Sequence, residues 1–480
     1  YPDAGSYQKF VSIHDGFSNA FTAEERTNYH FEIAPDHLEE ALDRFSEFFI
    51  SPLFNPELVQ REMKAVDSEH SKNLSNDFRR IFQVKQKSYN PRHPAKHFAT
   101  GNIQTLSKVT REVLMDFYKN HYSSNRMTLA VAGPQNLEIL QNWVARRFNQ
   151  VENRNLNPFK LPETFLSQKD QFRLMRIKTV KDSRNLTLMF PLPSTQKYYK
   201  SRPLNMLGFL IGHEGKGSLL SLLKEQGLAS GLSAGGGDST SAYTSFNISI
   251  QLTPKGLKHY TLVIERVFQY LRLLREKSLP RYIYEEVRRM AEIDYRFAEK
   301  TGGTRLVNMF SILMQLYPLR NVESSPFLIS EYHPRLFDSM LYRLIPENML
   351  ALLAARNVKT DKIEKFYGTE YAYLENQPKL IKKWKSVKTN PKLTLPETNT
   401  FLPERLEVLP FSGSMYLSYQ SLVGLQRAGL DEKLLKKLDS LIAKSFSDLD
   451  EILKRTEFQG KEVERQAFKE TLAKHILGKP

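Results

Sequence analysis

Two proline-punctuated connections divide this chain before anything else about it is known. Residues 153–165, NRNLNPFKLPETF, and residues 387–410, VKTNPKLTLPETNTFLPERLEVLP, are stretches that neither a helix interior nor a central strand accommodates. They predict a first unit over 1–155, a second over 156–400 and a remainder over 401–480. A chain of 480 residues is in any case too long for one ordinary core.

Within the first unit, helical and strand patterns alternate. GSYQKFVSIHDG has helical spacing and stops at Gly16. SNAFTAEERTNYHFEIA (18–34) reads as a hairpin, and DHLEEALDRFSEFFISPLF (36–54) as a helix ended by Ser-Pro. Asn55, Pro56 and Glu57 are start signals for a helix that the pattern lets run past Gln83. RMTLAVAG (126–133) reads as a buried strand.

The second unit has similar content, although no residue-level repeat is visible. NLTLMFPLP (185–193) and TSFNISIQL (244–252) read as strands. KSRPLNMLGFLIG (200–212), HEGKGSLLSLLKEQG and the long KGLKHYTLVIERVFQYLRLLRE read as helices, with SAGGG (233–237) as a flexible turn. The last 70 or so residues are mostly helical in pattern and too short for another unit of the same kind. The fold class expected from these patterns is α+β.

Composition narrows the functional classes. Hydrophobic residues make up 40 % of the chain and aromatics 11 %, enough for sizeable cores. No apolar run approaches the roughly 18 residues of a membrane span. With no cysteine, disulfides, thiolate catalysis and Cys-based zinc or iron–sulfur sites are excluded. The formal charge is +16, but the basic residues are scattered, as in EVRRMAE, KLIKKWK and EKLLKKLD. They read as surface charge rather than a nucleic-acid footprint. The opening YPDAGSYQKF has neither an initiator Met nor a leader, so targeting information is missing from it. Periplasm and cytosol both stay open.

Few residue groupings point to chemistry. Glu62 and Glu69 are seven apart on the expected helix, which places them on one face to within roughly 20°. Such a face suits a metal ligand and a supporting carboxylate, and equally a solvated surface. Asp67 and His70 lie on other sides. His93 and His97 have helical zinc spacing, but Pro91 and Pro94 make that stretch a loop. HEGKG (213–217) lacks both the second His of a zincin and the Lys-Ser/Thr ending of a phosphate loop.

GFSNAFTAEERTNYHF, ALDRFSEFFISPLF, REMKAVDSEHSKN, NPRHPAKHFATGN, HYSSNRM, IGHEGKGSLLSLLK and FYGTEY, in this order, resemble the insulinase/pitrilysin family of zinc metallopeptidases, inverzincins with a His-x-x-Glu-His motif. The likeness runs from Tyr1 to about Pro410. It implies tandem homologous domains, each a mainly antiparallel sheet with helices on one face, plus a short helical C-terminal segment that weakly resembles the family's later half.

The resemblance also implies a Zn2+ cofactor, with Glu69 as one protein ligand and Glu62 as the carboxylate that orients a ligand. Asn19, Ala20, Phe21 and Thr22 match the edge strand along which a peptide lies as an added strand. Phe82 matches a pocket aromatic, with Arg79 standing where relatives carry a large aromatic. Gly212, Glu214 and Leu232 match a site that anchors a substrate's amino terminus, Ala234 replacing a glycine there. No His-x-x-Glu-His occurs in the chain, so this polypeptide is expected neither to hold zinc tightly nor to cleave peptides by itself. The implied partners are peptide substrates and either a missing second half or a homologous subunit. A non-catalytic binding or scaffolding subunit is the alternative.

Overall fold

The computed structural model describes residues 3, 5–162, 166, 172–299, 301–375, 377–403 and 406. The expected helices of 411–480 lie outside these. Residues 1–402 form one unit by their internal contacts.

Helix α1 (Ser6–Ile13) leads into an antiparallel ribbon of β1 (Phe17–Thr22) and β2 (Thr27–Glu32), paired from Phe17↔Glu32 to Thr22↔Thr27. Helix α2 (Leu38–Ile50) lies against this ribbon, with Ala41 and Phe45 packed on Tyr7, Phe10, Tyr29 and Phe31. Asn55 caps α3 (Pro56–Lys72), its side chain accepting from the Glu57 amide at 3.0 Å, as the sequence leads one to expect.

The helix does not run on past Gln83. It stops at Lys72, and Asn76 starts a separate α4 (Asp77–Lys85) by accepting from the Phe78 and Arg79 amides. The hydrophobic spacing continues across this break, but the Asn73 and Asn76 side chains bond nearby backbone and replace the helical ladder.

The second sheet has seven strands in the order β5-β6-β4-β7-β3-β9-β8. They are β3 (Phe172–Lys178), β4 (Arg184–Pro193), β5 (Ala229–Ser239), β6 (Tyr243–Leu252), β7 (Met349–Ala355), β8 (Lys362–Ile363) and β9 (Glu370–Glu375). Every pairing is antiparallel except β3 with β7. Side-chain alternation builds two apolar layers. Leu186, Leu188 and Phe190 of β4, with Met349, Ala351 and Leu353 of β7, face a core shared with helices Pro203–Gly212, Leu219–Glu225, Tyr260–Lys277 and Pro334–Leu341. Met189, Leu350, Leu352 and Ala354 point the other way and meet Val84 and Tyr89 from the first part of the chain. The mainly antiparallel sheet thus carries its own helices on one face, as expected, and meets the first part of the chain with the other.

Three other expectations are corrected. SAGGG is not a turn but the middle of β5, where small residues let helix Pro203–Gly212 lie close; a Cβ on Gly208 would come within 2.9 Å of the Ala234 carbonyl oxygen. The long helix is divided at His259 into Pro254–Lys258 and Tyr260–Lys277, each with its own start. Residues 127–133 form no strand among the described residues, so the described first part of the chain shows a two-stranded ribbon rather than a wider sheet.

Candidate functional site

The carboxylates of the expected metal face ride on α3. Glu62 and Glu69 are both exposed, and among the described residues neither side chain takes part in a hydrogen bond or an ion pair. Their neighbours on the helix are occupied otherwise. Asp67 accepts from the Ile103 amide at 2.9 Å and starts the next helical turn. His70 is 7 % exposed, packed edge-on against Phe98 and Tyr367. Among the described residues no three His, Asp or Glu side chains converge tightly enough to hold an ion.

Four expected residues line one free strand edge. Among the described residues β1 pairs only with β2, and Asn19, Ala20, Phe21 and Thr22 are all exposed along it. Its other edge therefore offers backbone N–H and C=O groups to an extended peptide. Phe82 sits half-buried on α4 with the Lys85 ammonium 5.0 Å above its ring, and Arg79 lies one turn earlier.

The remaining three gather at a second free edge. β5 closes one end of the large sheet, pairing among the described residues with β6 alone. Gly212 ends helix Pro203–Gly212, and a Cβ there would sit 3.7 Å from the Ala234 amide of β5, in ordinary contact. Leu232 is half-buried on β5. Glu214 is exposed just beyond the helix, its nearest cation being Lys224 at 3.9 Å. A weakly engaged carboxylate beside a strand edge is suited to a peptide's ammonium group.

What the sequence did not show is that the hairpins carrying these two edges are fastened together at their turns. Glu25 of the β1–β2 turn accepts from the Ser241 amide at 2.8 Å and from its hydroxyl at 2.5 Å. Glu24 accepts at 2.5 Å from the Tyr243 hydroxyl, a residue only 1 % exposed. Glu24 as a whole is exposed, although its carboxylate bonds the hydroxyl of the buried Tyr243. Burial raises its carboxyl above the ordinary range against the lowering effect of the Tyr243 hydrogen bond; Asp238 and Glu25 raise it further and Lys85 lowers it. The partners lie 216 and 219 residues apart, and no local pattern links them.

Beneath the ribbon lies a cavity of about 850 Å3 lined jointly by β2, residues 127–133 and helix Gly303–Leu316, with Tyr29, Phe31, Leu129, Val131 and Ile312 among its walls. Ser311 ties the helix to both sides, its hydroxyl accepting from Asn28 at 3.1 Å and its carbonyl from Thr128 at 2.7 Å.

Comparison with known proteins gives three successive family matches. Residues 1–92 match "Insulinase (Peptidase family M16)", 108–291 "Peptidase M16 inactive domain" and 295–420 "Middle or third domain of peptidase_M16". The human insulin-degrading enzyme is 39 % identical over 419 residues, which are 85 % of this chain and 41 % of that protein. The A-factor-processing enzyme of Saccharomyces cerevisiae is 36 % identical over 422 residues, 86 % of this chain and 41 % of that protein. The crystal structure of pitrilysin superposes with a TM-score of 0.80 at 25 % identity, covering 84 % of this chain and 44 % of that one. The chain thus spans about two fifths of the length of the curated relatives it matches.

Proposed function

The chain belongs to the insulinase/pitrilysin family of metallopeptidases, and from that membership we propose that it handles peptides in extended form, docking them along the free edges of β1 and β5 as part of zinc-dependent peptide hydrolysis. The observation that carries this reading is the pair of unpaired strand edges whose hairpins meet at their turns. An edge strand recognises backbone before side chains, so the substrate class is unstructured or partly unfolded peptide with little demand on sequence. Glu214, facing a peptide amino terminus beside Leu232, supplies the one charged preference.

The family's zinc does not fit the described residues taken alone. A catalytic zinc needs three protein ligands and an open position. Glu69 is one carboxylate on an exposed helical face, Glu62 lies two turns away, and no further donors converge on them among the described residues. In this reading Glu69 supplies one ligand and Glu62 is the carboxylate that orients a ligand, while the chain's own contribution is peptide docking. No bond-breaking step is derived from it.

The reading is tested with a fluorescent peptide of about ten residues, a strand's usual length, followed by anisotropy with the full chain. A backbone N-methylated copy, which cannot complete a ladder, should bind at least about tenfold more weakly, and acetylation of the peptide amino terminus should weaken binding in the parent but not in Glu214→Ala. Equal binding of parent and N-methylated peptides removes the edge reading. Product formation that stops on adding chelator would restore a complete zinc site to this polypeptide.

A further inference from the structure

The turn-to-turn contact carries more charge than it neutralises. Glu24, Glu25 and Asp238 bring three carboxylates together, and the cation among them, Lys85, is bonded to Asp238 at 2.9 Å and stacked over Phe82 and Tyr89. Glu25 is satisfied by two Ser241 donors. Glu24 has the Tyr243 hydroxyl, and its carboxylate lies near Asp238 and Glu25, two like charges. Tyr89 approaches from below, and its phenol is held neutral by burial. His93 stands edge-on to the Tyr243 ring at 5.4 Å, and burial lowers its pKa, which favours the neutral ring. The turn's own cation, Arg26, is half-buried.

We propose that the two turns form a proton-controlled clasp: Glu24 and Glu25 fasten the β1–β2 turn to the β5–β6 turn, hold the two free strand edges in a fixed relation while Glu24 is protonated, and loosen as Glu24 ionises against Asp238 and Glu25. The ribbon is suited to such motion. It has two strands only, and an isolated hairpin is marginal by itself, so its tip depends on what the turn touches. The clasp also borders the rim of the cavity, whose wall includes Glu24, Glu25 and Ser241. Its consequence for peptide docking rests on the edge reading above, whereas its existence does not.

The sign follows from linkage. A carboxyl raised in the folded state adds stability below its unfolded value and loses it as pH rises through the folded value. The clasp should therefore be tightest in mild acid and slacken toward neutrality.

Amide hydrogen exchange of the full chain, without peptide or metal, tests this between about pH 5 and pH 8. Exchange is expressed as protection relative to each amide's intrinsic rate, with β7 as the internal reference. Protection of Phe21–Thr27 and Asp238–Tyr243 should fall at least about threefold on raising the pH across that range, with β7 unchanged. In Glu24→Gln, which stays neutral and keeps an acceptor for Tyr243, protection should hold the parent's acid-side level throughout. Flat protection in the parent, a rise with pH, or a pH dependence that survives in Glu24→Gln each overturns the proposal. The parent measurement decides even where the variant folds poorly. A loss of peptide affinity with intact clasp protection would instead count against the edge reading alone.

Discussion

Residues 349–355, MLALLAA, and residues 127–133, MTLAVAG, are apolar runs of the same length and similar character, yet the first is a strand buried along its whole length and the second belongs to no strand among the described residues. β7 has β4 on one side and β3 on the other, helices over one face and α4 with Tyr89 over the other. The run at 127–133 has instead a cavity of about 850 Å3 beside it, and its side chains are only half-buried or exposed. Apolar sequence supplies the demand for burial; neighbours on both edges and both faces supply the burial itself. The large sheet is the more deeply buried of the two regions, and the ribbon with residues 127–133 the more exposed.

The largest effect should come from the sheet's core. Phe190→Ala in β4, at 0 % exposure, should lower unfolding free energy by about 3–5 kcal/mol in urea titration. Leu129→Ala, beside the cavity, should lower it by less than about 1.5 kcal/mol. Equal losses would erase the contrast.

A smaller effect probes how closely β5 is covered. Gly208→Ala would ordinarily gain about 1 kcal/mol in a helix interior. Here the added methyl meets the Ala234 carbonyl oxygen at 2.9 Å, and the variant should lose about 1–3 kcal/mol by the same titration. A gain would mean that the edge strand yields.

Smaller again is the cap of α3. Asn55→Ala removes the acceptor for the Glu57 amide and should cost about 1 kcal/mol, read as a lowered thermal midpoint. The smallest effect is expected at the pair of half-buried Arg44 and exposed Glu40 on α2, where Arg44→Ala should change stability by no more than about 0.5 kcal/mol; a larger loss would indicate that the guanidinium's position over the Phe10 ring matters more than its charge.

Local signals in the sequence were reliable where they rested on a side chain bonding its own neighbourhood. The Asn55 cap, the hairpin of 18–34 and the alternating strands 185–193 and 244–252 all appear as read. The reading failed where a distant element decided. The Gly-rich 233–237 became strand because β6 pairs with it and helix Pro203–Gly212 needs its small residues. The run 127–133 lacked a ladder because no partner flanks it. For the site, residue types on α3, β1 and β5 were legible through the family pattern, but the bonds of Glu24 and Glu25 to Tyr243 and Ser241 were not, since contacts spanning more than 200 residues leave no periodicity to detect.

By itself, then, the sequence determined the Asn55 helix start, the 18–34 hairpin, the strands at 185–193 and 244–252 and the lack of cysteine in this chain, because these follow from local backbone preference and side-chain inventory. The tertiary structure alone decided which strand edges stay free, which carboxylate is drawn out of water and which apolar run is enclosed. Each of these depends on what lies across a gap, and hydrogen-bond satisfaction and burial are properties of two surfaces meeting rather than of either stretch of chain.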